Sequence, residues 1–314
     1  MQPASYDVCD SSRIYNAQYN YSLPKNILEG FLSGKAFDNK IEYTTDESAR
    51  LRKDINALNQ SILSQNPVNE KIAVMTAGAP GAGKTTLMKR DLADKAAEGK
   101  VYAYICPDDV CLQTMSETYL AEIEKSDKSK DARQAAYNKW RPGSNASTHL
   151  ILGDLIRQGY GFYFGTTSSG PATGKFFEFL KQQGYHIRLI YISAPDDVRW
   201  GSIQERDKTF VQTTEQDVRE KGDLLPQRIN DTFMKYADEI EFYYRVGVHE
   251  KATLTATWLR NPSSAPVLGA LQVHNADNYV KIKAIHNAVA EKLKRPDLDW
   301  DKSVEKISTV AAGL

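Results

Sequence analysis

The sequence predicts an α/β fold, a parallel sheet with helices on both faces, and two observations carry that reading. From residue 70 onward, short apolar runs alternate with segments of helical periodicity. The first run, Ile72-Ala73-Val74-Met75-Thr76, leads into Gly78-Ala79-Pro80-Gly81-Ala82-Gly83-Lys84-Thr85, and a helical segment follows from Thr86. Strand, glycine-rich loop and helix in that order aim backbone N–H groups and a helix N-terminus at a polyphosphate.

The remaining elements follow along the chain. Residues 1–69 hold no chemical motif and read as an N-terminal helical extension. Its helix runs from Thr45 to about Leu63, with Thr44 or Thr45 as N-cap and Leu51, Ile55, Leu58 and Ile62 on one face. Strands are expected at Val101–Ile105, Gly161–Phe164 and Ile187–Ile192. The helices before the last two run from about Ala146 to Gln158 and from Lys175 to Gln183, the latter stopped by Gly184. Pro195-Asp196-Asp197 opens the next helix, with proline and acids in its first turn. Beyond it, Glu241–Val246 and Ala252–Trp258 read as a β-hairpin, and a helix from about Ala276 to Leu293 closes the core. This gives a core domain over 70–294 and a tail over 295–314.

Composition narrows the partners. Forty basic and forty acidic residues give zero net charge, so no nucleic-acid partner is expected. Cys9, Cys106 and Cys111 are too few and too irregular for a disulfide framework or a zinc site. No apolar run approaches a membrane span, and the first residues lack the regions of a signal peptide. A cytoplasmic protein is expected; signal-independent export into a host would leave the same trace.

The loop assigns ATP and Mg²⁺ as cofactors. Residues Gly78, Ala79, Pro80, Gly81, Ala82, Gly83, Lys84, Thr85 and Thr86 form the nucleotide grip. Lys84 reaches the β- and γ-phosphates and Thr85 offers its hydroxyl to Mg²⁺. Motor and switch signatures are missing. There is no Asp-x-x-Gly, Asn138-Lys139 is followed by Trp140-Arg141, and the strand at 161–164 ends in Phe164-Gly165 without an acid. A kinase needs less: the loop, Mg²⁺, a carboxylate for the acceptor proton and arginines over the moving phosphoryl group. The fold expectation is therefore a P-loop kinase-like sheet.

Asp108, in Cys106-Pro107-Asp108-Asp109, is the candidate base, because it follows the carboxyl end of a strand, where ligands bind in open α/β sheets. Pro-Asp-Asp is also an ordinary turn and helix cap, for Asp109 above all. Arg199, Arg206, Arg219 and Arg228 follow the fourth strand, and Arg206 is the one chosen to stabilise the transferred group. His149 could face an acceptor sugar, or sit on a capped helix at the surface. Thr166, Thr167 and Ser168 end the third strand with hydroxyls suited to an acceptor, or form a plain polar loop.

The ordered pieces resemble the zeta-toxin family of P-loop kinases. They are the loop at 78–85, Ile105-Cys106-Pro107-Asp108, Ser144-Asn145, Gln158-Gly159-Tyr160 and Gly165-Thr166. They continue through Gly184-Tyr185, Gly201-Ser202-Ile203-Gln204-Glu205-Arg206, Leu225-Pro226 and Phe242-Tyr243-Tyr244-Arg245. The resemblance implies ATP-dependent phosphorylation of a sugar hydroxyl on a nucleotide-sugar, Asp108 as base, and an antitoxin as protein partner. Departures fall on the acceptor side. His149 and Phe164 stand where the family has Glu, Ser168 stands for an Arg, and Lys208 and Arg219 are both displaced from the second lid arginine.

A kinase of a nucleotide-sugar or related nucleotide metabolite is the leading reading. A related effector group resembling zeta toxins implies an alternative acceptor, a ribose hydroxyl of NAD. An ATP-binding regulator that has lost catalysis and a polynucleotide 5′-kinase are the other readings, the last disfavoured by the neutral charge.

Overall fold

The computed structural model describes residues 6–10, 41–207, 215–296, 298 and 300–309. Lys208 lies outside the described residues, as do parts of the expected extension and tail.

Helix α1 spans Thr45–Ser64. The Thr44 hydroxyl accepts from the Glu47 N–H at 3.2 Å and the Glu47 carboxylate accepts from the Thr44 N–H at 2.9 Å. Such a reciprocal cap contributes about 1 kcal/mol. Strand β1 (Ile72–Ala77) and helix α2 (Lys84–Ala97) flank the glycine loop. Strand β2 (Ala103–Ile105) leads into a short helix, Pro107–Asp109, which a π-helix continues over Val110–Thr114. Helix α3 (Tyr119–Lys125) and helix α4 (Lys130–Gln158) follow. Then come β3 (Phe162–Phe164), α5 (Thr173–Gln182), β4 (His186–Ser193), α6 (Asp196–Asp207) and α7 (Glu215–Arg228). The chain goes on through β5 (Glu239–Tyr244), β6 (Thr253–Arg260), β7 (Gly269–Val273), α8 (Ala276–Lys292) and β8 (Val304–Thr309).

Helix α4 begins at Lys130, well before the expected start near Ala146. Arg141-Pro142-Gly143 reads as a breaker, since proline lacks an N–H and crowds the preceding turn. The helix runs through it with outside help. The Tyr43 hydroxyl accepts from the Gly143 N–H at 3.1 Å and donates to the Lys139 carbonyl at 2.8 Å.

The described residues fall into two compact units. One comprises the described part of Met1–Lys71, Asp94–Phe164 and Asp207. Here β2 and β3 pair in parallel, Ala103 opposite Phe162 and Ile105 opposite Phe164. Leu51 and Ile55 of α1 are buried, and Tyr43 stacks on the buried Trp140 with ring centroids 4.9 Å apart. Residues 6–10 are strapped on by Asp7, which accepts from Arg52 at 2.7 Å and Asn56 at 2.9 Å.

The second unit comprises Ile72–Ala93, Gly165–Arg206 and the described part of Thr213–Leu314. Its strands lie in the order β1-β4-β5-β6-β7-β8. β1–β4 and β4–β5 are parallel, β5–β6 and β6–β7 antiparallel, and β7–β8 parallel. The expected hairpin and closing helix are present. Strands β7 and β8 were not expected. In β7, Gly269 faces the Trp258 indole, which sits where a side-chain carbon would be (2.2 Å), so a weak strand former is required there.

Candidate functional site

The phosphate loop is set by close backbone approach. Gly78, Gly81 and Gly83 have φ of 146°, 80° and 97°, values that only glycine adopts freely. A side-chain carbon at Gly81 would lie 2.2 Å from the Arg199 carbonyl oxygen, and one at Gly78 would lie 2.5 Å from that of Ile192. The loop is thus seated against the end of β4 and the first turn of α6. The Lys84 ammonium donates to the loop's own carbonyls, Gly78 at 2.8 Å and Ala79 at 2.9 Å. This holds a positive charge over the concavity where phosphate oxygens bind in loops of this type. Pro80 and Ala82 are buried, Thr85 is half-buried in the first turn of α2, and Thr86 is exposed.

Two further groups brace the loop. Arg245, just past β5, donates to the Gly81 carbonyl and to the Glu250 carbonyl, each at 3.1 Å. Sequence reasoning did not assign it a site role; its signal was an arginine directly after a strand's carboxyl end. Buried Thr76 of β1 donates to the Thr166 carbonyl at 2.7 Å and accepts from the Thr166 N–H at 2.9 Å. The Thr167 carbonyl accepts from the Gly78 N–H at 3.2 Å. Thr166, Thr167 and Ser168 are therefore knitted to the phosphate loop. The buried Ser168 hydroxyl is committed to the Thr76 carbonyl at 2.7 Å.

Among the arginines, Arg199 is buried. It donates to the Val218 carbonyl at 3.1 Å, pairs with Asp196, and passes so close to Gly222 that a side-chain carbon there would lie 3.2 Å away. Arg206 is half-buried in the last turn of α6. Arg219 is exposed, and Arg228 pairs with Asp231 at 3.2 Å.

Asp108 lies in the first unit. Its carboxylate accepts from the Tyr137 hydroxyl at 2.9 Å and from Arg141 Nε at 2.8 Å. The side chain keeps 39% exposure, so part of the carboxylate stays open to solvent. Arg141 also donates to the Tyr137 oxygen at 3.0 Å and to Asn145. Burial outweighs the Arg141 charge and pushes the Tyr137 phenol up, leaving it a donor at neutral pH. Asp109 accepts instead from Tyr104 at 2.5 Å and Gln113 at 3.3 Å.

Tyr137, Arg141, Asn145 and His149 recur every fourth residue, which places them on one face of α4. That spacing was the legible signal for Tyr137 and Arg141, which sequence reasoning missed. Burial, then the Arg141 charge, pushes His149 down to about 4, so the imidazole is neutral at pH 7. Its ring meets Phe164 edge-on at 6.0 Å. His149 is thus half-buried, with its ring packed beside Phe164.

Among the described residues no three acidic, histidine or cysteine side chains cluster as a metal site. The donor set fits Mg²⁺ held by one threonine hydroxyl together with nucleotide phosphates. Cys106 and Cys111 are buried, and burial pushes their thiols up to about 11 and about 12.

The zeta toxin family model matches residues 56–239. No curated protein sequence matches the chain. Among solved structures, the native AvrRxo1-ORF1:AvrRxo1-ORF2 complex aligns with a TM-score of 0.51 at 16% identity, covering 77% of this chain and 73% of that one. A structure of that complex with ATP gives 0.48 at 14%, covering 77% and 73%. The PezAT toxin–antitoxin system of Streptococcus pneumoniae gives 0.46 at 17%, covering 65% and 79%. The AvrRxo1 complex shares the fold. No helix among the described residues is long and apolar enough to cross a membrane.

Proposed function

Because the chain belongs to the zeta-toxin family of P-loop kinases, we propose that it transfers the γ-phosphoryl group of ATP to a hydroxyl of a nucleotide-sugar or related nucleotide metabolite. The observation that carries this is the loop itself: three glycines at positive φ with the Lys84 ammonium held over them. Residues Gly78 to Thr86 grip the phosphates, and Lys84 offsets their charge. Thr85 is the protein ligand for Mg²⁺, which when bound neutralises charge on the β- and γ-phosphates. Asp108 accepts the proton of the attacking hydroxyl, and Arg206 stabilises the transferred group. Thr166 and Thr167 offer hydrogen bonds near the loop, while Asp109 and His149 are the further acceptor contacts proposed. An antitoxin-type protein is the proposed partner, in keeping with a similar fold that was solved as a two-chain complex.

A second reading concerns the acceptor. His149 is neutral and packs on Phe164, at positions where the family carries acids. That loss of charge favours a different acceptor, such as a ribose hydroxyl of a dinucleotide.

The test is mass spectrometry of a metabolite extract incubated with protein, ATP and Mg²⁺. A species heavier by one phosphate is expected with wild type and lost with Asp108→Ala. No transfer to any species overturns the kinase reading. Near-full transfer by Asp108→Ala overturns the base assignment alone.

A further inference from the structure

We propose that Tyr43, in the segment before α1, is a positioning residue for the base: its hydroxyl closes the helical turn that carries Arg141 and so seats Arg141 on Asp108. The inference rests on the reading of Asp108 as base.

The geometry is local and specific. A regular helix joins the carbonyl of residue 139 directly to the N–H of residue 143. In α4 the Tyr43 hydroxyl bridges that pair, accepting from Gly143 and donating to Lys139. The bridged turn contains Trp140, Arg141 and Pro142, so the residue that holds Asp108 sits inside it. A side chain entering the ladder in this way resets the direction of the turns on either side.

Three neighbours fit the hydroxyl to this task. Pro142 has no N–H to give, which already weakens the ladder at this turn. Gly143 leaves room: a side-chain carbon there would stand 3.0 Å from both the Tyr43 oxygen and Leu51. Trp140 stacks on the Tyr43 ring at 4.9 Å, which fixes the phenol's approach. Lys139, whose carbonyl is bridged, is tied to Glu47 of α1 at 2.8 Å and to Glu122 of α3 at 3.1 Å. A tyrosine serving only as packing would need the ring and no oxygen at this place.

The test uses the full chain and two readouts. The first is hydrogen exchange of the Arg141 Nε–H, followed by ¹⁵N NMR and assigned by its loss in Arg141→Lys. The second is transfer of labelled γ-phosphate from ATP into a small-metabolite extract. Tyr43→Phe keeps the ring and removes the hydroxyl; Gly143→Ala crowds the same oxygen from the helix side. Each is expected to speed exchange about tenfold, the scale of one lost hydrogen bond. Each is expected to lower kcat about tenfold with KM for ATP unchanged. A lower Tm with wild-type exchange would make Tyr43 a packing residue and overturn the proposal. Faster exchange with wild-type kcat would overturn it as well. If wild type transfers no phosphate, the kinase reading falls, and the exchange arm still decides whether Tyr43 seats Arg141.

Discussion

Arg188 of β4 donates to Asp91 of α2 at 2.6 Å, and its other nitrogen donates to Glu241 of β5 at 2.8 Å. One guanidinium thereby ties two neighbouring strands to the helix that follows the phosphate loop. All three side chains are less than one-fifth exposed. Removing one partner leaves charge stranded in a poorly solvated place. Arg188→Met is expected to destabilise the protein by about 3 kcal/mol. Urea denaturation checks this, and an unchanged midpoint would show the cluster to be energetically idle.

Glu239 stands in the same strand as Glu241. Burial, then the Glu241 charge, pushes its carboxyl up from the ordinary range. A raised carboxyl binds its proton more tightly in the folded state than in the unfolded state. Its contribution to stability is therefore present below the unfolded value and lost as pH rises through the folded one. Glu239→Gln, which mimics the protonated form, is expected to raise Tm at pH 7 and to have little effect at pH 4. Paired thermal melts at the two pH values test it, and a Tm gain of equal size at both would refute the titration argument.

The opposite sign holds for His149. Its folded value of about 4 lies below the ordinary imidazole value of 6.5. The unfolded chain therefore takes up the proton first, and stability falls as pH drops from about 6.5 towards 4. Across that interval the loss amounts to about 3 kcal/mol. His149→Gln is expected to flatten the acid limb of a stability–pH curve measured by denaturation.

At the phosphate loop, Gly81→Ala puts a carbon into the Arg199 carbonyl, and Lys84→Met removes the charge over the concavity. Both are expected to weaken Mg·ATP binding at least about a hundredfold, the scale of two to three kcal/mol. Titration with a fluorescent ATP analogue measures it. Lys84→Met is expected to retain the wild-type melting point, whereas Gly81→Ala lowers it through backbone strain.

The loop and its flanking strand and helix were legible because period and glycine chemistry act within a few residues. The Thr44 cap, β4 and the closing helix were legible for the same reason. Asp108 stands out by its place after a strand, whereas its partners Tyr137 and Arg141 carry only the four-residue spacing they share with Asn145 and His149, and sequence reasoning missed it. They lie on a helix whose first half was hidden by Pro142, and the Tyr43 oxygen that carries the helix past Pro142 comes from a distant part of the chain. Strands β7 and β8 were missed because Gly269 and the charged residues of 304–309 carry weak strand preference, and pairing with β6 and with each other supplies the rest. The sequence offers Arg199 as a lid candidate, yet its side chain is buried among α6 and α7 groups, which only three-dimensional packing shows.

The partition of the chain bears on how such proteins diversify. Gly78–Lys84, Arg199 and Arg245 belong to one unit, while Asp108, Tyr137, Arg141, Asn145 and His149 belong to the other. The hydrogen bonds described for the phosphate loop, from Lys84 and Arg245 and to the Thr167 carbonyl, all lie within the first of these, and those of Asp108 within the second. Under the proposed function, side chains along the α4 face can change with the acceptor while the bonds within the loop's own unit stay as they are.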